Sequence, residues 1–169
     1  MLDYTNVITE EKSYSGLQMK EVKPIMKLII RGKKREFLSA IGKSLNLLLP
    51  TEANTSTRSE KLTALWLSPD EWMIFSNETS NSESNYYETE NLLNNSISQT
   101  KLGAVTDVTD QFVLINIKGD KIFDLFETGS PFNFNNFKNK KGAVTQTILA
   151  KIDVIIHNQN LNEVNLFVR

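Results

Sequence analysis

The chain contains no cysteine, which excludes disulfides, thiolate nucleophiles and thiolate metal sites. It has a single histidine, His157, and a zinc site normally draws on several His or Cys ligands. Glycine is scarce, at positions 16, 32, 42, 103, 119, 129 and 142, and no spacing among these fits G-x-G-x-x-G or a P-loop. Nucleotide binding through a glycine loop is therefore excluded, and no G-x-S-x-G nucleophile elbow occurs. No apolar run approaches the roughly 20 residues of a membrane helix. The N-terminal stretch MLDYTNVITEEKSYSG is acidic and polar and has no apolar signal core, so a cytoplasmic protein without membrane association is expected. The formal net charge is -1, so the basic excess of a nucleic-acid binder is missing as well.

What is present is globular material. The 169 residues are 40% hydrophobic and 23% charged, enough to bury a real core. Residues 1–23 are polar and aperiodic and are expected to form an extended arm or surface strand. Residues 24–169 read as one domain, with room for two similar halves, 24–100 and 101–169.

Pro24–Ile30 is apolar and β-branched and predicts a strand. Phe37, Leu38, Ile41 and Leu45 have helical spacing and predict a helix over Lys33–Asn46, closed by Leu49-Pro50. Thr51–Glu60 is expected to be a mobile loop. In residues 62–76 two apolar runs flank Ser68-Pro69-Asp70-Glu71, the pattern of a hairpin with proline at the second turn position. The polar stretch Asn77–Asn85 leads to a helix over Tyr86–Ile97, then strands Ala104–Val108 and Phe112–Ile117. Asp120 is placed to cap a helix striped with Ile122, Phe123 and Phe126, and Gly129 to end it as a left-handed cap. A loop over Pro131–Lys141 and strands Ala143–Ala150, Asp153–His157 and Glu163–Val168 follow. This order predicts an α+β fold, split β-α-β modules with antiparallel sheet.

Few residues suggest chemistry. Asp70 and Glu71 are an acidic pair, but adjacent turn residues rarely divide acid and base work, and Asp70 is expected to bond nearby backbone N–H groups. His157, at the end of a strand, is expected to be a partly exposed structural residue. Trp66 and Trp72 fit a core filler and an interface anchor equally well. Arg31, Lys33, Lys34 and Arg35 form the basic cluster, more simply a solvated helix start than a phosphate site. Phe132, Phe134 and Phe137 are either core plugs or a patch facing a partner. No catalytic, cofactor-binding or metal-ligating residue is assigned on this chain.

The run ALWLSPDEWMIF (residues 64–75) resembles the A-L-W-L-G-P-D-E-W-L segment of the gamma subunit of heterotetrameric sarcosine oxidase. Further similarities follow in order. Ile30-Arg31-Gly32 resembles an early L-R-G, and Leu49-Pro50 with Asn54-Thr55 resembles L-P and N-T. Asp107-Val108-Thr109 with Gln111 is similar to D-V-S-x-Q, and Gly129-Ser130-Pro131-Phe132 to G-C-P-L. Gln146-Thr147-Ile148-Leu149-Ala150-Lys151 resembles Q-T-x-L-A-K. The chain departs at Ser68, where glycine is usual, at Asp110, commonly histidine, and at Ser130, a cysteine in the family. It stops at Arg169, where the family usually continues into a short aromatic-containing helix.

The resemblance implies a fold similar to the folate-binding domain of the glycine-cleavage aminomethyltransferase. It implies a non-catalytic, structural or interaction subunit. The partners would be alpha, beta and delta subunits carrying FAD, FMN, NAD and zinc. The complex would demethylate sarcosine to glycine, make hydrogen peroxide and pass a one-carbon unit to tetrahydrofolate. The aminomethyltransferase has an N-D pair, with its key aspartate, at the position of Ser130-Pro131. Two alternatives stand beside this: a stand-alone folate-binding aminomethyltransferase-like protein, and the gamma subunit of a related N-methyl-amino-acid dehydrogenase.

Overall fold

The structure is a computed structural model; it describes residues 5–8, 11–77 and 84–169, with the backbone alone for 84–86. Along the chain run strands β1 (Lys12–Tyr14), β2 (Leu17–Glu21) and β3 (Lys27–Gly32), then helix α1 (Arg35–Leu45). Strands β4 (Ser56–Arg58), β5 (Leu62–Ser68) and β6 (Glu71–Ser76) precede helix α2 (Ser84–Leu93), which passes into a π-helical turn, Asn94–Ser98. Strands β7 (Gly103–Asp107) and β8 (Val113–Lys118) lead to helix α3 (Ile122–Gly129). Strands β9 (Val144–Leu149), β10 (Ile152–Asn160) and β11 (Glu163–Val168) follow. Every strand pairing among the described residues is antiparallel, so the class is α+β, as the element order predicts.

The chain divides into two compact units. One is Ile25–Gln111; the other joins Met1–Pro24 to Phe112–Arg169.

The Ile25–Gln111 unit is a five-stranded sheet in the order β4-β5-β6-β3-β7. Its core sets Leu28, Ile30, Trp72 and Ile74 from the sheet against Phe37 and Ile41 of α1 and Leu93 and Ile97. The i, i+4 spacing of Phe37 and Ile41 puts both on the buried stripe of the helix. Asn46 ends α1 in the left-handed conformation (φ 49°), which asparagine tolerates better than most residues. The ring of Phe37 lies over the cross-strand pair Gly32 and Gly103. A Cβ on Gly32 would come within 2.4 Å of that ring, and one on Gly103 within 2.2 Å of the Arg31 carbonyl. Both positions need glycine for close approach.

The second unit is a six-stranded sheet in the order β1-β2-β8-β11-β10-β9. One face carries Ile117, Val154, Ile156, Val164 and Leu166 against α3 and the Phe132–Phe137 loop. Rings of Phe123, Phe126, Phe132, Phe134 and Phe137 sit 4.9–6.2 Å apart, several of them edge-on. The loop phenylalanines are thus core plugs: Phe134 and Phe137 are buried and Phe132 is packed on them. Buried Asn158 on β10 holds this loop. Its Nδ2 donates to the carbonyls of Phe137 (2.9 Å), Lys140 (2.9 Å) and Lys138 (3.3 Å).

Several local expectations need correction. The expected loop Thr51–Glu60 contains β4, a short polar edge strand paired with β5. The first central strand begins at Lys27, not Pro24. Asp120 does not cap α3; Lys121 holds the cap position, and no side chain bonds there. Gly129 is the last helical residue and is not left-handed. The chain goes directly into extended Ser130 (φ −127°), and the Gly129 carbonyl accepts from Ala150 N at 2.9 Å. A Cβ on Gly129 would lie 3.3 Å from Leu149 Cδ1, so close packing accounts for glycine there. Of the polar stretch Asn77–Asn85, residues 78–83 lie outside the described residues.

Candidate functional site

In the Ile25–Gln111 unit the segments singled out in the sequence converge on the β5–β6 hairpin. Trp66 and Trp72 are cross-strand partners and therefore share a face. Trp72 is 4% exposed, its ring centroid 5.7 Å from that of Phe37, and its Nε1 donates to the carbonyl of Pro50 at 2.8 Å. Trp66 is half-buried against the same core. The hairpin tryptophans are thus core residues of this unit. The pairing slips by one residue between Trp66 and Ser68, a bulge that precedes the turn.

At that turn Asp70 does not bond backbone N–H groups as expected. Its Oδ1 accepts from the Ser68 hydroxyl at 2.8 Å. This bond, together with Lys33 and Arg31, holds the Asp70 carboxyl below the ordinary carboxylate range. Ser68, which stands where the resemblance has glycine, supplies that hydroxyl. The basic cluster answers the acidic pair: Lys33 Nζ is 3.5 Å from Asp70, and Arg31 is 3.8 Å from Glu71. Gly32 N also donates to the Asp70 carbonyl at 3.0 Å. The Arg31-Gly32 and Pro-Asp-Glu segments therefore fasten to each other. These exposed ion pairs contribute little to stability.

The Asp107–Gln111 segment has a comparable part. Thr109 Oγ1 accepts from Lys27 N at 3.0 Å, and Val108 N donates to the Lys27 carbonyl at 2.9 Å. Lys27 is 2% exposed, and its Nζ donates to the Ile25 carbonyl at 2.9 Å. Burial lowers its pKa to about 8, against the opposing pull of Asp110 and Asp107. Lysine in an apolar run gives no signal of such burial, and sequence reasoning missed it.

In the other unit, Ser130 and Thr147 hydroxyls meet at 3.1 Å, and Phe132 N donates to Ser130 Oγ at 3.2 Å. Pro131 beside them is exposed. His157 is not partly exposed as expected: β10 runs three residues past it, and it is 4% exposed between Asn165 and Val144. Among the described residues, no group of three or more His, Asp or Glu side chains could hold a metal ion. No described helix is long and apolar enough to cross a membrane.

An open cleft of about 450 Å³ lies on the sheet of this second unit, lined by Phe112, Gln146, Ile148, Asp153, Ile155 and Arg169 among others. Sequence reasoning gave no sign of it, because four separate segments contribute.

The model of the sarcosine oxidase, gamma subunit family matches residues 32–169. The chain belongs to the sarcosine oxidase gamma subunit family. A chain of the heterotetrameric sarcosine oxidase from Corynebacterium sp. U-96, solved with pyrrole 2-carboxylate, is similar in fold. The TM-score is 0.78 at 17% identity, over 90% of this chain and 75% of that one. The glycine cleavage system aminomethyltransferase T from Bartonella henselae is also similar (TM-score 0.62, 11% identity), over 90% of this chain and 42% of that one. No curated protein matches by sequence. This chain thus has an aminomethyltransferase-like fold, and it spans less than half of the aminomethyltransferase.

Proposed function

We propose that the chain is the non-catalytic gamma subunit of a heterotetrameric sarcosine oxidase. The observation that carries this reading is the family match across residues 32–169. In this reading the partners are alpha, beta and delta subunits, which carry FAD, FMN, NAD and zinc in the cytoplasm. The complex demethylates sarcosine and delivers the one-carbon unit to tetrahydrofolate, and this chain supplies surfaces that hold the larger subunits.

The local chemistry supports a role without catalysis. Where the resemblance to aminomethyltransferase places the key aspartate, this chain has Pro131, which has no ionisable group. The neighbouring Ser130 hydroxyl is engaged with Thr147. The residues present do not fit tetrahydrofolate chemistry of the aminomethyltransferase kind, and we assign this chain no step in it.

The test is co-expression with the flavoprotein subunits, followed by size-exclusion chromatography and a sarcosine oxidase assay. The expected result is one co-eluting complex, with no activity and no saturable tetrahydrofolate binding by this chain alone. A stable chain that associates with none of those subunits would refute the reading.

A further inference from the structure

We infer that the outer edge of β7 pairs antiparallel with the β7 edge of a second copy of this chain, joining two five-stranded sheets into one across a two-fold axis. The inference goes beyond the gamma-subunit reading and does not depend on it.

β7 is the last strand of its sheet, with β3 on one side and no strand on the other among the described residues. Val108 N donates to the Lys27 carbonyl at 2.9 Å, which fixes the phase of the ladder. By alternation Thr106 bonds Ile29 and Ala104 bonds Arg31. The backbone N–H and C=O groups of Gly103, Val105 and Asp107 therefore point away from β3. None of these backbone groups has a hydrogen bond to a described residue. Ala104, Thr106 and Asp107 are exposed and Gly103 and Val105 half-buried, so the edge is open along its length. The other edge strands are protected. β1 and β4 have three residues each and carry Lys12 and Arg58. β9 is longer, but its Val144 and Thr145 are only 2% and 6% exposed. β7 has five residues, no proline, no lysine and an unbroken register with β3. Such an edge is a template for another strand.

The chemistry of this edge selects its own copy. An antiparallel pairing centred on Val105 sets Val105 against Val105, Ala104 against Thr106 and Gly103 against Asp107 of the second copy. All of β7 then pairs, and the outward groups of Gly103, Val105 and Asp107 face one another, the condition for bonded pairs. The arrangement is isologous and closes on itself. The strand face with Ala104 and Thr106 holds only small side chains, so nothing bulky obstructs the second strand. The charged residue of β7, Asp107, lies opposite glycine. At about 3.4 Å per residue the two Asp107 carboxylates stand roughly 14 Å apart along the pair, beyond a screening length of about 8 Å. A parallel pairing in register would set them side by side, and repulsion disfavours it. One strand pair is smaller than the roughly 1,200 Å² that a stable interface buries, so the association is weak and concentration-dependent.

The experiment is sedimentation equilibrium of the full chain from about 10 μM to about 1 mM, with amide exchange read by NMR at both ends of that range. The wild-type mass should rise from monomer toward dimer. The amides of Gly103, Val105 and Asp107 should exchange at least about threefold more slowly at the upper concentration. Those of Ala104 and Thr106, already bonded to β3, should stay unchanged, an alternation that separates strand pairing from any other contact. Val105→Pro removes one outward N–H and leaves the bonds to β3 in place, and Thr106→Lys sets two like charges about 7 Å apart along the pair. Each should weaken association at least about tenfold, while Leu161→Ser, in the other unit and 69% exposed, stays within about twofold. A wild type that stays monomeric to about 1 mM, unchanged exchange at residues 103, 105 and 107, or full association by both variants would overturn the inference and leave the gamma-subunit reading standing.

Discussion

Replacing Trp72 by alanine removes the more deeply buried of the two tryptophans that the β5–β6 hairpin contributes to the core of its unit. The indole is 4% exposed, packs on Phe37 and donates to the Pro50 carbonyl. Truncation of a buried tryptophan costs about 3–5 kcal/mol through lost transfer energy and the cavity left behind. Trp72→Phe keeps most of the apolar area but leaves the buried Pro50 carbonyl without its indole donor, a loss of about 1–3 kcal/mol. For a chain of this size each kcal/mol lowers Tm by about 2–4 °C, so Trp72→Ala should melt about 6–20 °C lower, with Trp72→Phe between it and wild type. Circular dichroism melts and urea titrations read both values, and Trp66 remains as the fluorescent reporter. In the complex proposed above, the yield of assembly should fall in step with stability while turnover per assembled complex stays constant. A Trp72→Ala chain within about 1 kcal/mol of wild type would show that the indole is no core anchor.

Lys27 makes stability depend on pH. Its folded pKa of about 8 lies below the unfolded value of 10.5, so between them the unfolded chain binds more protons and stability rises with pH, by up to about 3 kcal/mol. Lys27→Met should lack that rise in urea titrations at pH 7.5–10.5; an unchanged profile would remove the lysine as its source. Ser68→Ala deletes the hydrogen bond that chiefly lowers the Asp70 pKa, so the Asp70 carboxyl should titrate closer to the ordinary range by NMR. No movement would assign the shift to Lys33 and Arg31. Gly103→Ala drives a methyl into the Arg31 carbonyl and the Phe37 ring and should cost about 1–3 kcal/mol in urea denaturation. A neutral result would mean that β3 and β7 part easily.

Elements governed by local pattern were legible before the structure. Helix α1 announces itself through Phe37, Leu38, Ile41 and Leu45, and the β5–β6 hairpin through Pro69 between two apolar runs. What escaped depends on partners distant in sequence. Strand β4 is three polar residues whose only reason to be a strand is the edge of β5. The N-terminal strands have no period of their own, and β2 finds its register on β8, with Gln18 opposite Lys118. The division of the chain into units is equally non-local, since the first residues join the last rather than their neighbours. Of the candidate sites, the hairpin and the Ser130-Pro131 position were visible as motifs. The cleft was not, because strand ends far apart in the chain assemble it.

The side chain of Asn158 has a consequence for the order of folding. It satisfies carbonyls of Phe137, Lys138 and Lys140, about twenty residues upstream. Until β10 is laid down, those carbonyls lack their donor, and Phe134 and Phe137 can pack only on α3 and on each other. The aromatic loop cannot mature ahead of the strand that clasps it, so the two form one cooperative step. During synthesis the phenylalanines of this loop wait for the final strands before they are fully covered.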